Sequence, residues 1–224
     1  MQPTIVGAVV ALVTSAGALS PAAAADDKVV LGGGAGIVVD GSYCTLATIG
    51  HDHVGDLVGF TAGHCGGPGA PVVAEGADNH GPVGSVAAVG DGLDYGVIKF
   101  DPAKVTPTAS FAGFPINGIG PDPDWHQDVC INGAANGIQC GDAGSIPGPG
   151  PHGAMSHAVF QPGDDGGPVT SNALLIGLAF RGRTAWANAG IPQIDFTDYT
   201  KFSALLNDVN AKGGPGAGFS PVPA

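Results

Sequence analysis

QPGDDGGPV, residues 161–169, is the stretch on which the fold of this 224-residue chain turns. Gly163, Gly166 and Gly167 surround two adjacent carboxylates, Asp164 and Asp165, and Pro168 leads away into an apolar run. Glycines so placed let backbone N–H groups turn inward and build a nest for negative charge. The loop therefore offers an anion hole and, at its centre, an aspartate able to occupy it.

Short strands flank this loop. Residues 169–170, 174–180, 184–187 and 193–196 follow it, and 129–131, 137–141 and 154–160 precede it, each an apolar or alternating run cut by Gly, Pro, Asn or Asp. An earlier series lies at 29–31, 37–39, 43–47, 57–61, 71–74, 84–89 and 95–100. Residues 101–128 are rich in Pro, Gly and Asp and read as a connection. Phe202, Leu205, Leu206 and Val209 share one face of a helix over 200–210. The tail from Gly213, GGPGAGFSPVPA, is expected to be mobile. No βαβ alternation is visible, which argues against a parallel sheet and suits two antiparallel barrels.

Composition limits the function classes. The chain has 40 Gly and 19 Pro, about a quarter of its residues, but 44% hydrophobic content in short runs points to a folded core rather than disorder. The net charge is −12 with only seven Lys and Arg, which disfavours nucleic acid and anionic membrane as partners. Residues 5–13 are apolar, Pro21 interrupts, and Ala22 to Ala25 form a small-residue cleavage site: residues 1–25 read as an export signal, and the protein as secreted. The span from there to the first strand leaves no room for a folded pro-domain. Export permits disulfides. The four cysteines, Cys44, Cys65, Cys130 and Cys140, allow three pairings, and the lack of a CxxC pair argues against a zinc site.

Two further stretches carry chemistry. GFTAGHC, residues 59–65, brings His64 to the end of an apolar strand, and DGLDYGVIKF, residues 91–100, sets Asp94 at the mouth of another. In this order, with Gly33-Gly34, Cys44, VCINGAANGIQCG at 129–141 and GD-GGPV at 163–169, they resemble the chymotrypsin-like serine proteases, in particular the secreted bacterial streptogrisin and alpha-lytic protease branch. The likeness runs from about residue 29 to 210. It implies an all-β fold of two packed antiparallel six-stranded β-barrels with a C-terminal helix: an N-terminal barrel over 26–110, a linker over 111–128, a second barrel and helix over 129–212, and a flexible tail over 213–224. It implies that His64 is the general base, Asp94 its orienting partner, position 165 the nucleophile, and the N–H groups of Gly163 and Asp165 the oxyanion hole. It further implies the disulfides Cys44–Cys65 and Cys130–Cys140, a substrate groove along Ala179, Phe180, Arg181 and Gly182, and a cationic partner for a buried Asp164, for which Arg181 and Arg183 are the only arginines. No cofactor or metal is implied, and a monomer is expected.

The departure is Asp165. The triad mechanism needs a hydroxyl whose proton passes to the histidine as oxygen attacks the carbonyl. A carboxylate has no such proton at neutral pH, favours the imidazolium beside it, and turns its oxygens toward the donors meant for the transition state. The pattern Gly163-x-Asp165-x-Gly167 also superficially matches an aspartate nucleophile elbow, but that elbow belongs between a strand and a helix in an α/β fold. Three functions stay open: a protease homologue that binds a peptide or protein without cleaving it, an active serine endopeptidase if residue 165 is natively serine, and an extracellular structural protein. Among weaker signals, His51-Asp52-His53 reads as an exposed loop, Ser156 as structural, and Trp125 and Trp186 as core or cleft-wall residues.

Overall fold

The computed structural model describes residues 28–90, 92–144, 150–185 and 194–224. The export-signal reading at 1–25 and Trp186 lie outside them. Strand-forming runs fold into two curled antiparallel sheets. The first orders its strands Ser220–Pro221, Thr48–His51, Leu57–Ala62, Tyr95–Phe100, Gly84–Gly90, Pro71–Ala74, Gly36–Val39 and Ser42–Thr45. The second runs Gly137–Asp142, Asp128–Gly133, Pro168–Ser171, Leu174–Ala185, Ile194–Lys201 and His152–Ser156.

Both sheets curl shut for local reasons. Residues 42–51 pair with Gly36–Val39 through their first half and with Leu57–Ala62 through their second, so one bent segment joins the two sides of the first sheet. In the second sheet the outer strands meet through the Ala143–Met155 bridge and the Gly144 N–H bond to the Ala154 carbonyl at 2.6 Å. The expected run at 174–180 and the described part of that at 184–187 are one continuous strand, Leu174–Ala185, bent by a bulge near Phe180; residues 186–187 lie outside the described residues.

The helix forms over Phe202–Lys212, two residues later than its periodicity suggests, and ends on Gly213 in the left-handed region. Phe202, Leu205 and Val209 are buried beneath it. They join Val58, Phe60, Tyr95 and Val97 of the first sheet and Leu175 and Leu178 of the second in one apolar cluster. The two halves thus share a core.

The tail is not loose. Ser220–Pro221 adds an edge strand to the first sheet beside Thr48–His51. Phe219, 7% exposed, packs edge-on against Phe60 at 4.9 Å between centroids. One aromatic residue with a buried receiving face outweighs the local Gly and Pro content. Asp52 is also buried rather than looped out: it accepts N–H bonds from Val54, Asp56 and Gly216, while the His53 backbone N–H bonds the Ala217 carbonyl at 2.8 Å. His51 and His53 on either side are exposed. Trp125 differs too: it is 59% exposed and stacks on His126 at 4.5 Å, because its Pro- and Asp-rich turn lies on the surface.

Candidate active site

His64 is delivered by the fully buried strand Leu57–Ala62 into a single 3₁₀ turn, Gly63–Cys65. The Cys44–Cys65 disulfide ties the end of that turn to the neighbouring strand. Asp94 sits in the turn before Tyr95–Phe100 with φ +48°, a conformation that costs a non-glycine residue energy and must be held by its surroundings. The holding bonds are visible: Asp94 Oδ1 accepts the His64 backbone N–H at 2.9 Å, and Oδ2 faces His64 Nδ1 at 2.8 Å.

Asp165 arrives from the other sheet. Its loop is shaped by Gly163 at φ +106° and Gly166 at φ +86°. A Cβ on Gly166 would lie 2.4 Å from the Thr45 carbonyl oxygen, so glycine is required there for close approach as well as for its dihedral. Asp165 Oδ1 lies 3.0 Å from His64 Nε2, and Oδ2 accepts the Gly163 N–H at 3.2 Å. Asp94, His64 and Asp165 therefore form one hydrogen-bonded row, with the imidazole between two carboxylates. The hydrogen bond to Asp165, then that to Asp94, raises the His64 pKa to about 10 against the opposing effect of burial. Burial works to raise the Asp94 carboxyl, but hydrogen bonding to and the charge of His64 outweigh it and hold the group below its ordinary value. The row is carboxylate–imidazolium–carboxylate across the neutral range.

Asp164 is 1% exposed, and the arginines do not reach it. Its Oδ1 accepts the N–H groups of Ala135 and Asn136 at 3.1 and 3.0 Å, and Oδ2 that of Gln161 at 2.9 Å. Three backbone donors take the place of the expected cation. Arg181 and Arg183 turn instead to Asp198, at 2.7 and 2.8 Å.

Nothing in the sequence singles out Thr45, yet it stitches the loop to the first sheet. Its N–H donates to the Asp165 carbonyl at 2.8 Å, its hydroxyl donates to the Gly163 carbonyl at 2.7 Å, and the same oxygen accepts the Ala134 N–H at 2.9 Å. A lone Thr in a strand carries no signal for a partner more than a hundred residues away. Asp198, buried in its strand, is equally silent in sequence.

Beside Asp165 opens a pocket of about 600 Å³. Phe180, Arg181, Gly182 and Arg183 line it together with Phe160, Pro162 and Phe196. Ala179, expected alongside them, is fully buried: its N–H bonds the Gly167 carbonyl and its carbonyl accepts the Gly166 N–H, so it braces the loop from behind. The second disulfide, Cys130–Cys140, joins directly paired residues of neighbouring strands. Ser156 is buried and donates to the Asp142 carbonyl at 3.3 Å.

This arrangement has solved counterparts. The chain is similar to Nocardiopsis protease, with 21% identity, 81% of this chain and 97% of that one covered, and a TM-score of 0.63. It is similar to Thermobifida fusca Protease A, at 20% identity, 84% and 98% coverage, and a TM-score of 0.64. An alpha-lytic protease homologue, N4, matches at 24% identity, 83% and 98% coverage, and a TM-score of 0.61. No family model matches the chain, and no curated protein does. The class is thereby defined at the level of fold: a chymotrypsin-like double β-barrel of the kind found in bacterial proteases, built with two disulfides of the sort that persist in oxidising, extracellular settings.

Proposed function

We propose that this chain is an exported, catalytically silent protease homologue that binds a peptide or protein segment in the cleft between its barrels. One observation carries the reading: the Asp165 carboxylate bonds both His64 Nε2 and the Gly163 N–H. The first bond keeps the imidazole protonated, so it cannot take a proton. The second occupies a donor that acyl transfer needs for the developing oxyanion. Without a hydroxyl there is no acyl-enzyme, and loss of the nucleophile alone in a comparable triad costs about a million-fold in turnover. The open pocket beside Asp165 is what remains usable, and its volume of about 600 Å³ admits a side chain. Residues 1–25 would direct export, in keeping with the two disulfides.

The test is peptide hydrolysis by the mature chain beside Asp165→Ser, with fluorophosphonate labelling of both. The native chain is expected to be silent and unlabelled, and the serine variant to label and cleave. Cleavage by the native chain, abolished by His64→Ala, would overturn the proposal. The second reading, an active serine endopeptidase, draws on the 2.8 Å His64–Asp94 contact; it predicts that protein from the native source labels with fluorophosphonate.

A further inference from the structure

The pocket beside Asp165 gathers both arginines of a chain that has few basic residues. Arg181 and Arg183, the only arginines among seven basic residues, both line it. They are held in place from behind. Asp198, whose side chain is 9% exposed, accepts Arg181 Nε and Nη2 on one oxygen, at 3.2 and 2.7 Å, and Arg183 Nε on the other, at 2.8 Å. Rings support the planes: the Arg181 guanidinium lies 5.4 Å from the Phe180 centroid and that of Arg183 4.5 Å from Phe196.

Within this trio, one carboxylate against two guanidiniums leaves a positive charge in excess. Arg183 commits only its Nε to Asp198, so the terminal nitrogens of its fork stand outside that bond. The other charged groups on the pocket wall are Asp165 and Asp195. Asp165 is engaged by His64 and the Gly163 N–H, and Asp195 accepts the Thr184 hydroxyl at 2.8 Å. A pre-positioned guanidinium fork with free donors matches a carboxylate in both charge and geometry.

Building on the peptide-binding reading, we infer that the pocket selects an acidic side chain, with Arg183 as the contacting fork and Arg181 completing the positive wall. The ligand class is a peptide presenting Glu or Asp at the position that enters beside Asp165. Asp198 is a positioning residue that holds both arginines ready before the ligand arrives.

The experiment is fluorescence anisotropy on the mature chain with end-blocked, labelled tetrapeptides that differ only in one side chain: Glu, Gln, Phe or Lys. Blocked ends make the Glu side chain the only ligand carboxylate. Glu should bind at least about tenfold tighter than Gln, since a charge-assisted bond is roughly twice as strong as a neutral one. That advantage should vanish in Arg183→Gln, survive in part in Arg183→Lys, and shrink at about 0.5 M salt. The native chain's peptide series decides the matter even if a variant folds poorly. Equal binding of Glu and Gln, or a preference for Lys, overturns acid selection while peptide binding stands. Failure of all four peptides, Phe included, overturns both.

Discussion

At the scale of single residues, a carboxylate at position 165, where the triad mechanism needs a hydroxyl, sets the behaviour of the groups around it. Asp165 gives His64 a second anionic partner, and the imidazole responds with a pKa of about 10 against an ordinary 6.5. Because the folded value is the higher one, the stabilisation from this pairing is fully present below about pH 6.5 and is lost as pH rises through about 10. Carbon-detected NMR of the His64 ring should show the imidazolium persisting well above pH 8, and Asp165→Ser should move its titration down toward the ordinary value; an unchanged midpoint would mean that Asp165 is not its principal partner. Asp164 obeys a different logic. Its removal takes the acceptor from three part-buried N–H groups and empties a buried site, so Asp164→Ala is expected to destabilise the fold by about 3 kcal/mol, measurable by urea denaturation. The conservative Asp164→Asn keeps one acceptor oxygen and should lose less.

At the scale of elements, the C-terminal segment stands out. Phe60, Phe202 and Phe219 form an edge-on aromatic group in which each ring contacts the other two. Phe219→Ala is expected to cost about 3–5 kcal/mol, the range for a buried aromatic truncated to alanine. Deleting residues 213–224 should cost at least as much and leave Thr48–His51 as an exposed sheet edge, detectable as increased self-association in sedimentation velocity. An unchanged midpoint on deletion would refute the role assigned to the tail. The Cys44–Cys65 disulfide acts on the element that carries His64. Replacing both cysteines by alanine should remove about 2–4 kcal/mol and loosen the 3₁₀ turn before any distant strand.

At the scale of the whole molecule, the two barrels are not independent units. Their shared cluster draws Phe60 and Val97 from the first sheet, Phe114 and Ile116 from the connection, Leu178 from the second sheet, and Leu205 and Phe219 from beyond it. Thr45 and the His64–Asp165 pair add polar ties across the same boundary. Calorimetry of the oxidised chain is therefore expected to show a single transition whose calorimetric and van't Hoff enthalpies agree. Two resolved transitions would contradict the shared core.

Much of this was legible from residue order. Alternating apolar runs between turn residues define strands because a strand's side chains point to opposite faces in turn. The stretches TAGHC and GD-GGPV name their site because glycine density and a flanking cysteine constrain the backbone whatever else surrounds them. What needed the tertiary structure were choices among partners. Asp164 could be satisfied by a guanidinium or by peptide N–H groups, and only the fold shows the second and hands both arginines to Asp198. The tail's glycines and prolines predict mobility, and only a hydrophobic face far away in sequence, around Phe60, reverses that prediction. Local pattern encodes what a residue can do within a few neighbours. Which carboxylate meets which cation, and which apolar side chain finds a buried site, depends on contacts beyond that range, from 15 positions apart for Arg183 and Asp198 to more than a hundred for Phe60 and Phe219, which only the folded chain brings within reach.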